Sequence, residues 1–118
     1  MDRKALVRQY EEMPRPAGVF RVLNTQIGRM LLGSSTDLPG MLNRQRFQLE
    51  NNLHPDKELQ RDWKELGPAA FTFEVLDVLK PSDDPGYDPS EDLQALKGLW
   101  LEKLTTAGLS LYRRSHLL

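Results

Sequence analysis

Alternation of apolar and polar positions predicts three strands in this chain. Two of them lie close together, at residues 17–24 and 29–34, and the segment between them has turn-forming residues at both of its ends. We therefore expect these two strands to form an antiparallel hairpin. The third strand is predicted at residues 71–79, where the apolar positions alternate with polar ones: Phe71, Phe73 and Val75.

Helical spacing predicts two helices after the hairpin. The first extends from about Leu38 to Glu50, and Asp37 precedes it as a capping residue. The second begins at the segment His54-Pro55-Asp56 and ends at Gly67-Pro68. Its apolar residues recur at i, i+4 and i+7, which places them on one face: Leu59, Trp63 and Leu66.

Two further helices are predicted near the ends of the chain. A loop at residues 80–88 separates the third strand from a helix that begins after Asp88 and continues to about Thr105. A short leading helix is predicted at residues 2–12, and prolines at positions 14 and 16 end it. Residues 109–118 are predicted as a short strand or a loose tail.

The composition is that of one ordinary globular domain. The chain has 118 residues, of which 39% are hydrophobic and 28% are charged, and it contains no cysteine. The absence of thiols excludes disulfides and thiolate metal sites, and two histidines are too few for a histidine-based metal site. No apolar run reaches the length of a membrane span, and the charged first residues do not form a secretory signal. We expect a cytoplasmic protein without a cofactor.

The charge is unevenly distributed, although the net charge is only −1. Residues 13–49 contain five arginines and one aspartate, a local balance of +4, whereas residues 67–118 have a balance of −3. One interpretation is an uneven but ordinary surface. The other is a basic face that attracts phosphate groups.

Two short triplets resemble the motif that names the GIY-YIG nuclease superfamily. They are Gly18-Val19-Phe20 and Leu31-Leu32-Gly33, about ten residues apart, and each lies in one predicted strand of the hairpin. Further positions match the family in order and spacing: Asn24-Thr25, Ser34-Ser35, Asp37-Leu38, His54, Leu59-Gln60, Trp63, Phe71-Thr72-Phe73-Glu74 and Leu99-Trp100-Leu101. The resemblance covers roughly residues 17–106.

The resemblance implies a fold and a domain organisation. The expected fold class is α+β, with an antiparallel three-stranded sheet flanked by helices. Residues 1–118 would form one domain with a core at about 17–106, preceded by the extra N-terminal helix and linker at 1–16 and followed by a C-terminal tail at 107–118.

The same resemblance assigns five positions to the family's catalytic groups, and this chain departs from the pattern at all of them. Phe20, Met41 and Lys97 stand where the family has its general base, phosphate-binding arginine and metal-binding glutamate. Leu31 and Gln45 stand at the positions of two assisting residues. Phenylalanine cannot transfer a proton, methionine offers no charged donor, and an ammonium repels a divalent cation. The resemblance therefore implies an ancestry more clearly than a nuclease activity.

Three functions remain open on this basis. The first is a catalytically inactive domain that binds nucleic acid, DNA ahead of RNA, through a face of five basic residues: Arg21, Arg29, Arg44, Arg46 and Lys97. The second is a protein-interaction module or homodimer that uses an apolar former cleft formed around Phe20, Leu31 and Met41. The third is a nuclease with relocated groups, in which Arg44 or Arg46 replaces the missing arginine.

Overall fold

The computed structural model describes residues 15–116, which form a small α+β unit. This part of the chain contains four strands, three α-helices and two short 3₁₀ turns. The strands are β1 (Gly18–Asn24), β2 (Arg29–Ser35), β3 (Phe71–Val78) and β4 (Ser110–Leu111). The helices are α1 (Leu38–Glu50), α2 (Lys57–Leu66) and α3 (Ser90–Thr106), and the turns are Pro68–Ala70 and Arg113–His116.

The predicted hairpin is present, and it forms the centre of the sheet. β1 pairs with β2 in antiparallel register from Gly18 opposite Ser35 to Asn24 opposite Arg29. Gly28 has a φ of 66°, a left-handed conformation that glycine adopts without steric cost. β1 also pairs with β3 along its other edge, so that it is the most completely hydrogen-bonded strand.

A bulge lies where β1 meets β3. The register shifts between Val19 and Phe20, which lie opposite Asp77 and Val75, so Leu76 has no partner across the pair. Near this bulge, a Cβ added to Gly18 would lie 2.0 Å from the carbonyl oxygen of Asp77. The two backbones approach this closely only because position 18 has no side chain.

Local capping interactions explain the helix boundaries, which agree closely with the prediction. An Asp37 carboxylate oxygen accepts a hydrogen bond of 3.1 Å from the Gly40 amide at the start of α1. Asp56 accepts one of 3.1 Å from the Leu59 amide at the start of α2, and Gly67 ends that helix with a φ of 83°. Every helix within residues 15–116 is too short or too polar to cross a bilayer.

The hydrophobic core lies between the hairpin and helices α1 and α2. It combines residues of the hairpin, β3, two helices and the tail, and its buried members are Val22, Leu31, Leu49, Leu59, Trp63, Ala70, Phe71 and Tyr112. The Trp63 ring lies 5.2 Å from the Phe71 ring and 6.0 Å from the Phe73 ring, measured between centroids. Leu59 and Trp63 of the predicted apolar face of α2 are therefore part of the core, whereas Leu66 is exposed.

The end of the chain differs from the expected three-stranded antiparallel sheet. β4 pairs in parallel with β2, so the sheet is mixed and has the order β3-β1-β2-β4. The tail was expected to be a short strand or loose, and a strand is what forms. It is nevertheless part of the core, because Tyr112 is fully buried. The predicted leading helix at residues 2–12 lies outside the described residues.

Tyr112 joins the tail to two other elements through its hydroxyl group. The hydroxyl donates to Asp62 Oδ2 at 2.6 Å and accepts from Asn24 Nδ2 at 3.1 Å. The Arg29 guanidinium lies over the ring, 4.4 Å from its centroid. Burial is the main reason that the pKa of Tyr112 is raised, and the hydrogen bond to Asp62 raises it further.

We predict that Tyr112→Phe lowers the free energy of unfolding by about 1–3 kcal/mol, because Asn24 and Asp62 then lose a buried partner. Urea unfolding of the two proteins measures this difference. The control is Tyr87→Phe, because the Tyr87 hydroxyl bonds to Asp92 at an exposed site and its loss should change stability by less than about 0.5 kcal/mol. Equal effects of the two substitutions would show that the buried network contributes nothing specific.

Candidate nucleic-acid interface

Phe20 and Leu31 were expected to form the apolar floor of a cleft, but the structure places both inside the protein. Each has no exposed surface. Phe20 lies opposite Gly33, and Leu31 lies opposite Val22. These side chains stabilise the fold through burial and are not available to a partner molecule.

Lys97 was expected to offer its charge to a phosphate, but only 8% of the residue is exposed. Its ammonium group donates a hydrogen bond to the carbonyl oxygen of Ser115 in the C-terminal turn. Burial lowers the pKa of this lysine. Lys97 thus ties α3 to the tail, which is a structural function.

Met41 and Gln45 lie one turn apart on α1 and form a chain of contacts with His54. The Gln45 amide nitrogen lies 3.5 Å from the Met41 sulfur, and its amide oxygen lies 2.5 Å from His54 Nε2. Gln45 is buried, whereas Met41 is partly exposed. The contacts orient the buried amide and imidazole groups and leave neither of them available as a base.

The hydrogen bonds of His54 identify its tautomer. Nδ1 accepts a bond of 3.0 Å from the Asp56 amide, so the ring proton lies on Nε2 and is donated to Gln45. Burial is the main cause that lowers the pKa of His54 to about 4, and the positive charge of Arg114 acts in the same direction. The imidazole is therefore neutral at neutral pH.

Two of the predicted phosphate-binding arginines already have acidic partners. Arg21 Nε lies 2.5 Å from Glu74 Oε2, and Arg29 Nη1 lies 2.5 Å from Glu58 Oε2. Arg29 also donates to the Leu111 carbonyl oxygen at 3.2 Å. A phosphate would have to compete with these contacts at Arg21 and Arg29.

The other two predicted arginines are exposed on α1. Arg46 lies over the Phe73 ring at 4.6 Å from its centroid, and neither Arg44 nor Arg46 has a salt bridge with another residue of the range 15–116. Arg44 lines a pocket of about 170 Å³ around His54. Arg114 lines the same pocket from the C-terminal turn, and no carboxylate of the described residues does.

A second pocket of about 330 Å³ lies on the other side of His54, and the sequence prediction missed it. Its lining is polar and basic: Asn52, His54, Lys57, Gln60, Arg61 and Lys64. The three cations recur at i, i+4 and i+7 along α2, the spacing that had been recognised only for the apolar residues of this helix. Arg114 was missed as well, because only the folded tail brings it beside Arg44.

The structure also bears on the metal site. Among residues 15–116, no group of three or more histidine, cysteine, aspartate or glutamate side chains is close enough to hold a metal ion. The position that the resemblance matches to a metal-binding glutamate holds Lys97, which is buried. The donor set of this region does not fit a divalent cation.

The fold is similar to two solved structures of the catalytic domain of the homing endonuclease I-TevI, one of them a mutant. The TM-score is 0.61 for both, with 19% and 20% sequence identity. The matches cover 80% and 81% of this chain and 90% and 95% of those chains. The sequence matches no family model and no curated protein. The predicted GIY-YIG-like fold is confirmed, and at this identity the likeness concerns the fold alone.

We predict that stability falls by about 2 kcal/mol between about pH 7 and about pH 5 because of His54. The folded-state pKa of about 4 lies below the ordinary value of 6.5, so over this range the unfolded chain takes up a proton that the folded protein excludes. Urea unfolding at the two pH values measures the loss. His54→Gln is the control, since it removes this titration and should reduce the loss. An unchanged pH dependence in that variant would contradict the assignment.

Proposed function

We propose that this protein is a catalytically inactive member of the nuclease-like fold class and binds nucleic acid through the exposed face of α1. One observation carries the proposal. Of the positions that match the family's catalytic groups, Phe20, Leu31, Gln45 and Lys97 are buried and only Met41 is partly exposed, whereas Arg44 and Arg46 are exposed without acidic partners among residues 15–116. The fold has lost the groups for cleavage and has kept positive charge beside them.

The proposed lack of catalysis is supported by what the replaced groups do in the structure. Phe20 is fully buried, and its side chain has no acidic or basic group that could transfer a proton. The Lys97 ammonium donates a hydrogen bond to a backbone carbonyl oxygen. Phosphodiester cleavage needs an activated nucleophile and positive charge at the reacting phosphate. Loss of a single preorganised donor typically costs about 10²–10³ in rate. Loss of the general base, the phosphate-binding arginine and the metal-binding glutamate together therefore leaves little activity.

The proposed contacts are phosphate contacts. Arg44 and Arg114 line one pocket, and the neutral His54 between the basic pockets adds no charge of either sign. A pocket of about 170 Å³ is smaller than the roughly 300–1,000 Å³ of sites for drug-sized ligands, so it suits one phosphate group better than a nucleoside. The similarity to an endonuclease domain supports nucleic acid as the ligand class, and we propose DNA ahead of RNA.

A protein-interaction function is the second candidate, with a different surface from the one expected. The buried Phe20 and Leu31 offer no docking cleft. β3 is an edge strand within residues 15–116, and its exposed side chains include Val75 and Val78. A row of unpaired backbone groups beside apolar side chains is a surface that another strand can join. A homodimer through this edge is the specific form of the alternative.

We predict no Mg²⁺- or Mn²⁺-dependent cleavage of single-stranded or duplex DNA by the purified protein. Phe20→Tyr alone should not restore activity, because the Lys97 ammonium still occupies the former metal position. A nicking assay on supercoiled plasmid and a labelled single strand measures this. Metal-dependent nicking that is abolished by Arg44→Ala would instead establish a nuclease with relocated groups.

We predict that Arg44→Ala/Arg46→Ala weakens nucleic-acid binding and lowers its dependence on salt. Each lost phosphate contact should reduce the slope of log K against log[salt] by about 0.7 on single strands and about 0.9 on duplex DNA. Fluorescence anisotropy over a range of salt concentrations measures both quantities on DNA and RNA of equal length. The binding should not require a divalent metal.

The control is Lys80→Ala/Lys103→Ala, which removes the same charge elsewhere. Lys80 precedes an acidic loop, and Lys103 lies over the Trp100 ring at 4.7 Å, so neither belongs to the α1 face. If the two double variants behave alike, the α1 face is not the binding surface. If the native protein binds no nucleic acid even at low salt, the protein-interaction function replaces the proposal.

A further inference from the structure

Helix α2 has a basic stripe, Lys57, Arg61 and Lys64, that its role in the core does not require. At about 100° per residue these three positions lie within a sector of about 60°, nearly opposite the apolar stripe that packs on β3. All three residues are exposed. The stripe is about 10 Å long, since seven residues of helix rise about 1.5 Å each.

The acidic residues of α2 and its cap neutralise at most one cation of the stripe. Asp56 is buried, and its two oxygens accept hydrogen bonds from the Leu59 and Arg114 amides. Glu58 is paired with Arg29, which lies on β2. Asp62 accepts a hydrogen bond from the Tyr112 hydroxyl and forms a salt bridge of 3.8 Å with Arg61, and Glu65 lies one turn after Arg61. Lys57 and Lys64 have no salt bridge with another residue of the range 15–116.

The pocket beside the stripe has no phenylalanine, tyrosine, tryptophan or branched aliphatic residue in its lining. Besides the three cations it contains Asn52, Gln60 and His54. Sites for small organic ligands are lined mainly by hydrophobic and aromatic side chains, so this lining does not suit such a ligand. Basic grooves that follow a phosphodiester backbone have the composition that is found here.

His54 joins this pocket to the one on α1. It lines both, and it is buried and neutral. Arg44 and Arg114 line one of these pockets, and the α2 stripe lines the other. Neither lining includes a carboxylate of the described residues.

We propose that the α2 stripe is a second phosphate-binding surface, which holds successive phosphates of the same strand that the α1 face binds. This inference rests on the proposed function. One strand of duplex DNA rises about 3.4 Å per phosphate and also winds around the axis, so neighbouring phosphates of a strand lie roughly 6–7 Å apart and a stripe of about 10 Å reaches about two of them. The proposed binding surface thus includes α2 as well as α1. It does not include Arg29 and Arg21, which pair with Glu58 and Glu74.

The test is Lys57→Ala/Lys64→Ala, compared with the Lys80→Ala/Lys103→Ala control of equal charge. On a 20-nucleotide single strand and the corresponding duplex, the α2 variant should lower the salt slope by up to about 1.4 and about 1.8, respectively. The control should leave it unchanged. Because Lys57 and Lys64 are exposed, thermal unfolding should show that both variants remain folded.

A third variant tests whether the two surfaces act separately. Combining Lys57→Ala/Lys64→Ala with Arg44→Ala/Arg46→Ala should lower log K by the sum of the two separate effects, since different phosphates are lost. If the α2 variant equals the control while the α1 variant still weakens binding, the inference is overturned and the proposed function stands. If the native protein binds neither DNA nor RNA at low salt, both are overturned.

Discussion

The packing of the C-terminal turn against β2 is the constraint on which the rest of the fold depends. The Leu32 amide donates to the Ser115 hydroxyl at 2.9 Å, and the Tyr112 amide donates to the Met30 carbonyl oxygen at 2.7 Å. The same turn receives the Lys97 ammonium from α3 and reaches Asp56 at the start of α2. A few residues therefore join the sheet to two helices, and the core is complete only with them in place.

The same contacts explain why Lys97 belongs to the interior. A buried lysine is costly unless its ammonium group has a hydrogen-bond partner, and the Ser115 carbonyl oxygen provides one. Phe20 is fully buried as well. Exposed cations lie on α1, on α2 and on the turn itself, and the turn places Arg114 in the lining of the pocket that Arg44 also lines.

The parts of the fold that sequence could predict are those with local causes. The hairpin and the start of α1 follow from the turn at Asn24 to Gly28 and from the Asp37 cap, which act within a few residues. The paired state of Arg21 and Arg29 could not be predicted, because Glu74 and Glu58 are distant in the chain. The parallel pairing of β4 was missed because its partner strand is distant in the chain and because a strand of two residues carries no periodicity. Arg44 and Arg46, which the sequence analysis singled out, are exposed, whereas the α2 stripe was overlooked beside the apolar pattern of the same helix.

β4 and the Ser115 hydroxyl form a cover over only part of the outer edge of β2. β2 has seven residues, of which two pair with β4 and one more bonds to the Ser115 side chain. These contacts join residues more than 80 positions apart. If the turn detached, the contacts with Lys97 and Asp56 would be lost as well. Detachment of this cover would expose Met30 and Leu32 on a free strand edge, the kind of surface that recruits strands from other molecules. The C-terminal turn therefore shields a strand edge in addition to completing the core.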